Sequence, residues 1–504
     1  MIILRPRGVA SAALFAVSCV QLGCSSDDDV AQVRETLDWS PCPSSVGLGL
    51  DCATLEVPLD HEAPDGPTIE IALSRAAARK PSERIGALLL NPGGPGVPGL
   101  GLPALAAQTP LGETFDIIGF DPRGVGQSTP LDCQYTAPDP SADPIQGLQV
   151  SSQGLADACV ANAGELVVQV GTTSVARDLD LIREALGEDR ISYIGISYGT
   201  RIGAVYANLF PDRVRAMVLD AVDTPGRSLS TVLQDQAAAY EVALERFSSA
   251  CDADPACPVE GPTLEAFDAL LLQVLEEPLE VSPGVFVGGP DLLNLTSGLL
   301  REGEWIVLAY VIAALQSGNL EELGGGLPSA SPEGYAGDAF VAVTCADYAE
   351  RRSVEDVYAT MLSNSESSPR FGAIFALAEA GCSYWPAAKE PVSIGATSAS
   401  ARMLLIGATY DPATPYADSL AMKDALGNAH HLSFDGDGHG TLAVADCPTE
   451  EAFRFLAEVS PPERTSCPSE GMPPVSLEDS PRVESVLPRH RLSGARFFRN
   501  GSAD

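Results

Sequence analysis

The chain has 504 residues, 45% of them hydrophobic and 19% charged, with mean hydropathy +0.09. That is enough apolar material for a large core, or for a core with an inserted domain. A formal charge of −38 and a pI near 4.3 argue against nucleic acid as a partner, since phosphate contacts need a basic face. An acidic surface keeps a chain soluble, and it draws a substrate that carries a positive amine.

The first residues read as an export signal. Arg5 and Arg7 precede an apolar run from Gly8 to Leu22, too short to span a membrane comfortably. Cys24 and an acidic run, Ser25 to Asp29, follow. This resembles a bacterial lipoprotein signal over residues 1–24, with Cys24 lipidated and residues 25–40 as a polar tether. Gln21 stands where that signal prefers leucine, and cutting before Cys19 is a competing option. Membrane association is expected only through such a lipid anchor. Of twelve cysteines, setting aside Cys19 and Cys24 leaves ten, an even number that reads as disulfides in an exported chain. Pairing between sequence neighbours is the simplest arrangement: 42–52, 133–159, 251–257, 345–382 and 447–467. No cysteine or histidine spacing suggests zinc.

Two β-like runs, ATLEVPL and TIEIALSRA, flank the turn segment DHEAPDGP and predict an antiparallel hairpin. IGALLLN is a wholly apolar strand that runs into NPGGPG, and FDIIGFD is a second one, followed by PRGVGQS. Residues 133–170 read as irregular. SVARDLDLIREALG has helical spacing. The next segment, ISYIGISYGTRIGAVYANLF, is strand, tight turn and helix, with Ser197 at the turn between Gly195 and Gly199. In a G-x-S-x-G elbow the glycines let strand and helix pack closely, and the turn lifts the serine hydroxyl clear of the sheet. VRAMVLDAV is the strand after it. Strands alternating with helices predict a mostly parallel sheet covered on both faces, an α/β fold.

From residue 227 to 395 the pattern is helical, with no strong parallel-strand run, and predicts a cap inserted between two parts of the core, 41–226 and 396–470. ARMLLIGATYD and AHHLSF return to strand. Residues 471–504, rich in Pro, Ser and Arg, read as a disordered tail.

A serine hydroxyl needs a base, and the base needs an orienting acid. Of five histidines, His439 lies in the glycine-rich loop DGDGHG just after the last strand, where an α/β site is built. Asp411, at the end of MLLIGATY, is the expected acid and gives the order Ser, Asp, His. Asp220 and Asp223, after the preceding strand, are the rivals. The oxyanion donors are expected from the backbone of Tyr198 and, because Pro92 and Pro95 have no N–H, from Gly93, Gly94 or Gly96, with Gly94 preferred. Asp121 and Arg123 in DPRG are expected to pair structurally. Asp347 and Glu350 in CADYAE are the candidates for holding a substrate ammonium.

Taken in order, NPGGPG, DPRGVGQS, GISYGTRIG, DPATP and GHG resemble the α/β-hydrolase serine exopeptidases of the proline iminopeptidase and secreted bacterial tripeptidyl aminopeptidase group. The resemblance covers roughly residues 40–470. It implies an α/β-hydrolase fold with a helical cap, and a serine exopeptidase acting on free N-termini with Ser197, Asp411 and His439 in the catalytic roles. No cofactor is implied, and the oligomeric state stays open. The chain departs from the pattern at Val97-Pro98-Gly99, where relatives carry a small Gly-Ser-Gly run. An esterase using the same triad and a non-catalytic surface lipoprotein are the alternatives.

Overall fold

Ten strands form one sheet in the computed structural model, which describes residues 37–138, 143–282, 284–318, 337–442, 444–469 and 471–475. The leader, Cys19, Cys24, most of the tether and the tail from residue 476 lie outside the described residues. In chain order the strands are β1 (Ser40–Pro41), β2 (Asp51–Pro58), β3 (Thr68–Ala76), β4 (Gly86–Asn91), β5 (Phe115–Phe120), β6 (Ile191–Ile196) and β7 (Val214–Asp220). Then come β8 (Leu279–Ser282), β9 (Val285–Val287), β10 (Met403–Tyr410), β11 (His430–Asp437) and β12 (Ser466–Cys467). The spatial order is β1-β2-β3-β5-β4-β6-β7-β10-β11-β12. The first three pairings, through β3 with β5, are antiparallel, and every later one is parallel. The predicted hairpin is β2–β3, in register from Asp51 opposite Arg75 to Pro58 opposite Thr68.

Every residue of β4 and of β6 is buried, as a parallel strand covered on both faces requires. Side chains alternate between two hydrophobic clusters with the period of a strand. Ala87 and Leu89 of β4, Tyr193 of β6 and Leu405 of β10 join one cluster with Val175, Leu179 and Ile202 of the helices on that face. Leu88, Leu90, Ile194, Ile196 and Ile406 join the other, with Leu102, Phe455 and Leu456.

Between β7 and β10, among the described residues, the chain forms seven α-helices, the longest being Leu229–Ala253. They build a third cluster of their own around Phe247, Phe267, Trp305 and Phe371. The segment is not purely helical, however: β8 and β9 pair as a short antiparallel hairpin. The region read as irregular also differs, since Pro144–Ala163 is a 20-residue helix. Its start carries a local signal, with Asp143 accepting from the Ile145 and Gln146 N–H groups and proline at the first helical position. Only Ser152, Ala156 and Cys159 along it are buried, so no strong apolar stripe marks it. All five disulfides join the sequence neighbours expected.

Because β4, β6, β7, β10 and β11 run parallel, their C-terminal ends share one edge of the sheet. The NPGGPG turn, the Ser197 elbow, Asp220, Asp411 and His439 all follow or end these strands, and so collect at that edge.

Candidate active site

The helix Tyr198–Leu209 begins directly after Ser197, which carries the strain of the elbow with φ 56° and ψ −126°. The flanking glycines are needed for space. A Cβ on Gly195 would lie 2.3 Å from the carbonyl oxygen of Gly199, and one on Gly199 would lie 2.8 Å from that of Asn91. A Cβ on Gly93 would lie 2.9 Å from that of Ser197. The turn after β4 is thus pressed against the elbow. The Ser197 N–H donates to the Asp220 carbonyl at 3.0 Å, which fixes the turn to β7.

His439 Nδ1 lies 3.0 and 2.9 Å from the two carboxylate oxygens of Asp411. A carboxylate only accepts, so Nδ1 carries the proton and Nε2 keeps its lone pair. Asp411 is 2% exposed and is held by the N–H groups of Ala413 and Thr414, each at 2.9 Å, and by the Thr414 hydroxyl at 3.0 Å. The turn DPATP therefore folds back on its own aspartate. Ser197 and His439 line one cavity of about 330 Å³ under the helical segment, together with Gly94 and Tyr198.

The rival acids do other work. Asp220, fully buried, accepts from the N–H groups of Thr441 and Leu442 at 2.7 and 2.9 Å and from the Thr441 hydroxyl at 3.0 Å. It anchors the loop just beyond His439. Burial pushes its carboxyl up from the usual range, and those three donors oppose the shift. Asp223 accepts from Arg201 at 2.8 Å.

In the NPGGPG turn the Gly93 N–H is already engaged by Asn91 Oδ1 at 2.9 Å. That leaves Gly94, with φ 111° and on the cavity wall, as the better placed of the donors considered. Tyr198 opens its helix, so its N–H has no carbonyl within the helix to bond.

The expected ammonium pair separates. Glu350 is exposed and does not line the cavity, because the chain leaves the helix Asp338–Asp347 before it. Asp347 does line the cavity, but both its oxygens are engaged: Oδ1 by the Thr172 N–H at 2.7 Å, Oδ2 by the Thr172 hydroxyl at 2.6 Å and Arg201 at 3.3 Å. Thr172 Oγ1 also lies 2.8 Å from the Tyr198 hydroxyl. With its one proton on the carboxylate, the threonine accepts from that tyrosine. Burial pushes the Asp347 carboxyl up, and Arg201 and Thr172 pull the other way. Burial also opposes the charge on Arg201, yet Asp223, Tyr348 and Asp347 together hold its pKa well above the ordinary value. The wall of the cavity is thus one guanidinium between two carboxylates, with the Tyr348 hydroxyl at 2.7 Å as a further acceptor. Arg201 had a signal in the sequence, since it stands four residues after Ser197 on the same helix face.

Asp121 and Arg123 do not pair. Asp121 accepts from the N–H groups of Gly99, Leu100 and Gln127 at 2.8, 3.2 and 2.8 Å, and so fixes the unusual Val97-Pro98-Gly99 segment. Burial pushes its carboxyl up. Arg123, fully buried, instead binds Asp178 with Nε at 2.7 Å and Nη2 at 2.6 Å. Among the described residues no group of three or more His, Cys, Asp or Glu is placed to hold a metal ion.

Residues 86–290 match the family model for the alpha/beta hydrolase fold, and residues 368–467 match that for TAP-like protein. Serine protease Hip1 of Mycobacterium tuberculosis is 30% identical over 510 residues, covering 91% of this chain and 96% of its own. Tripeptidyl aminopeptidase of Streptomyces lividans is 30% identical over 459 residues, 84% of each chain. Carboxylesterase B of M. tuberculosis is 32% identical over 460 residues, 82% of this chain and 86% of its own. The elbow, the sheet order and these matches agree, and the chain belongs to the α/β-hydrolase family that includes serine protease Hip1 and the tripeptidyl aminopeptidases.

Proposed function

We propose that this serine peptidase is an exported aminopeptidase, releasing tripeptides or single residues from free N-termini through an acyl-enzyme on Ser197. One observation carries the reading: Ser197 on its elbow shares a cavity with a histidine whose Nδ1 is held by a buried carboxylate. In this scheme Nε2 of His439 takes the Ser197 proton as Oγ attacks the scissile carbonyl. Asp411 holds the tautomer and stabilises the imidazolium that forms. The Gly94 and Tyr198 N–H groups meet the developing oxyanion, each contributing about 3–4 kcal/mol to the transition state. The imidazolium then protonates the leaving amine, and a water deprotonated by His439 releases the acyl group. The scheme uses no cofactor.

The substrate ammonium is assigned to the Asp223–Arg201–Asp347 wall, where two carboxylates share one guanidinium. Asp223 is the more accessible, its side chain 18% exposed against 1% for Asp347. Five disulfides fit an oxidising compartment, which supports export with the leader, and a lipid on Cys24 would hold the chain at the membrane.

Incubation with a mixed peptide library, read by mass spectrometry, tests cut length and substrate class together. Acetylating the peptide N-terminus is expected to abolish turnover, and the Ser197→Ala protein is expected to be folded and inactive. Equal cutting of blocked and free peptides would sink the aminopeptidase reading. Carboxylic-ester hydrolysis by the same triad is the second reading, favoured by the likeness to Carboxylesterase B. Short-chain acyl esters turned over far faster than any peptide would select it.

A further inference from the structure

The acid and the base stand on separate loops, and one side chain of the helix Leu229–Ala253 grips both. Nε and Nη2 of Arg246 donate to Oδ1 and Oδ2 of Asp437 at 2.5 and 2.8 Å. The same guanidinium lies over the ring of Tyr410, 3.4 Å from its centroid. Tyr410 ends β10 and immediately precedes Asp411. Asp437 ends β11, and only Gly438 separates it from His439.

The contact has the features of a built one. A planar fork on a carboxylate fixes orientation as well as distance, and stacking on an aromatic face uses the other surface of the same group. The Asp437 side chain is 4% exposed, so its carboxylate is out of water and depends on this partner. The Asp437 hydrogen bond is the largest of the influences that raise the Arg246 pKa, so the cation persists throughout the working range. A second helix of the segment, Gly289–Arg301, reaches the same loop, since the His439 N–H donates to the Arg301 carbonyl at 2.8 Å. Arg246 does not line the cavity that holds Ser197 and His439.

We infer that Arg246 is a positioning residue: through Asp437 and Tyr410 it staples the loops that carry His439 and Asp411, and so makes seating of the helical segment a condition for general-base catalysis. The inference rests on the serine-hydrolase reading and adds to it that the base is set from the cap side as well as from the core.

The test uses the full-length, oxidised chain with Arg246→Met, which keeps the stem without the charge, and Arg246→Lys, which keeps the charge without the fork. The readouts are kcat and KM on a tripeptidyl anilide and on p-nitrophenyl acetate, and the rate of Ser197 labelling by a fluorophosphonate. Displacing a catalytic group by about 1 Å costs on the order of 10²-fold, and a loss of that order in kcat is expected for Arg246→Met on both substrates. KM should stay near its wild-type value, labelling should slow in parallel, and Arg246→Lys should recover part of the loss. Arg370→Met is the control, because Arg370 binds Asp268 and Glu241 within the helical segment and touches neither loop. It should leave turnover of the small ester unchanged. A raised KM with intact kcat for Arg246→Met, or equal losses in the Arg246 and Arg370 variants, would overturn the inference. If Arg246→Met does not fold, Arg246→Lys decides by the same split between kcat and KM. A wild-type chain that takes no label and turns over neither substrate overturns the hydrolase reading and this inference with it. A labelled wild type beside an unaffected Arg246→Met overturns this inference alone.

Discussion

The elbow that carries Ser197 and the loop that carries His439 are held in place by different physics. At the elbow the constraint is backbone contact. Ser197 takes the strained φ, Gly195 and Gly199 leave no room for a Cβ, and the turn after β4 presses on both. Around His439 the constraint is a set of polar contacts from distant segments. Asp220 holds Thr441 and Leu442, Asp411 holds the imidazole, Arg246 holds Asp437, and the Arg301 carbonyl holds the His439 N–H. A site assembled this way has a nucleophile placed by sterics and a base placed by charge. The first kind of placement is stiff and local. The second depends on each remote partner and on its ionisation.

The largest expected effect falls on the charge-held side. Asp411→Asn keeps the shape of the acid but turns an amide N–H₂ or a weaker acceptor toward Nδ1, so the imidazole loses its fixed tautomer. By analogy with the serine-protease aspartate, kcat should fall by about 10⁴-fold. Steady-state kinetics on a tripeptidyl anilide decides it. A loss smaller than tenfold would move the acid's role to another carboxylate, with Asp220 next in line.

On the steric side the break is Gly199→Ala. The new methyl would meet the Asn91 carbonyl and side-chain oxygens at 2.8 Å, and backbone cannot yield as a flexible side chain can. Forcing a methyl into a packed site costs about 1–3 kcal/mol. Thermal unfolding should show that loss, and fluorophosphonate labelling should slow as Ser197 is displaced. A variant with wild-type stability and labelling would mean that the elbow is looser than the contacts imply.

Asp223 lines the cavity beside Arg201, in the wall proposed to receive the substrate ammonium. Asp223→Asn removes one of the two carboxylates around Arg201 and leaves that cation balanced by Asp347 alone, so the wall loses its net negative charge. KM for free-amine peptides should rise by about tenfold, equivalent to roughly 1.4 kcal/mol of binding, while a small neutral ester is unaffected. Equal changes on both substrates would remove Asp223 from amine recognition.

The same division explains what could be read in the sequence. G-x-S-x-G, the apolar β4 and β6 and the β2–β3 hairpin are local patterns whose physics spans a few residues, and they stand where expected. The short cysteine loops are local as well, and all five close. Asp411 and His439 could be picked out because each closely follows a strand of the parallel set. Arg246 could not be assigned, and Arg201 had only its spacing from Ser197 as a cue, since a charged residue on a helix acquires a role only when a distant segment is folded against it. Arg123 shows the same limit. Its neighbour Asp121 was the obvious partner, but the chain spends Asp121 on three backbone N–H groups and gives Arg123 to Asp178. Glu350 stands outside the cavity for a related reason: its direction depends on where the helix Asp338–Asp347 ends.

The smallest expected effect is a pH dependence confined to the charge-held side. His431 lies on β11, the strand that delivers His439, and its Nε2 is 2.8 Å from the Ser419 hydroxyl on the helix that follows the Asp411 turn. Burial pushes its pKa down to about 4, with Lys423 adding to the shift. The free imidazole titrates near 6.5, so between these values the unfolded chain binds a proton that the folded chain refuses. The stability contributed by neutral His431 is complete above about pH 6.5 and is lost as pH falls toward 4. Melting temperature should therefore drop over that window, and His431→Gln should flatten this part of the profile. If acid loosens β11 and its neighbouring helix first, hydrogen exchange at pH 5 should rise along β11 before it rises along β6 and the helix Tyr198–Leu209. In that window β6 offers only Tyr193, whose hydroxyl burial pushes far above it. Parallel loss of protection in both strands would show that His439 and Ser197 share one cooperative unit, and the contrast between a steric half and an ionic half would not extend to their dynamics.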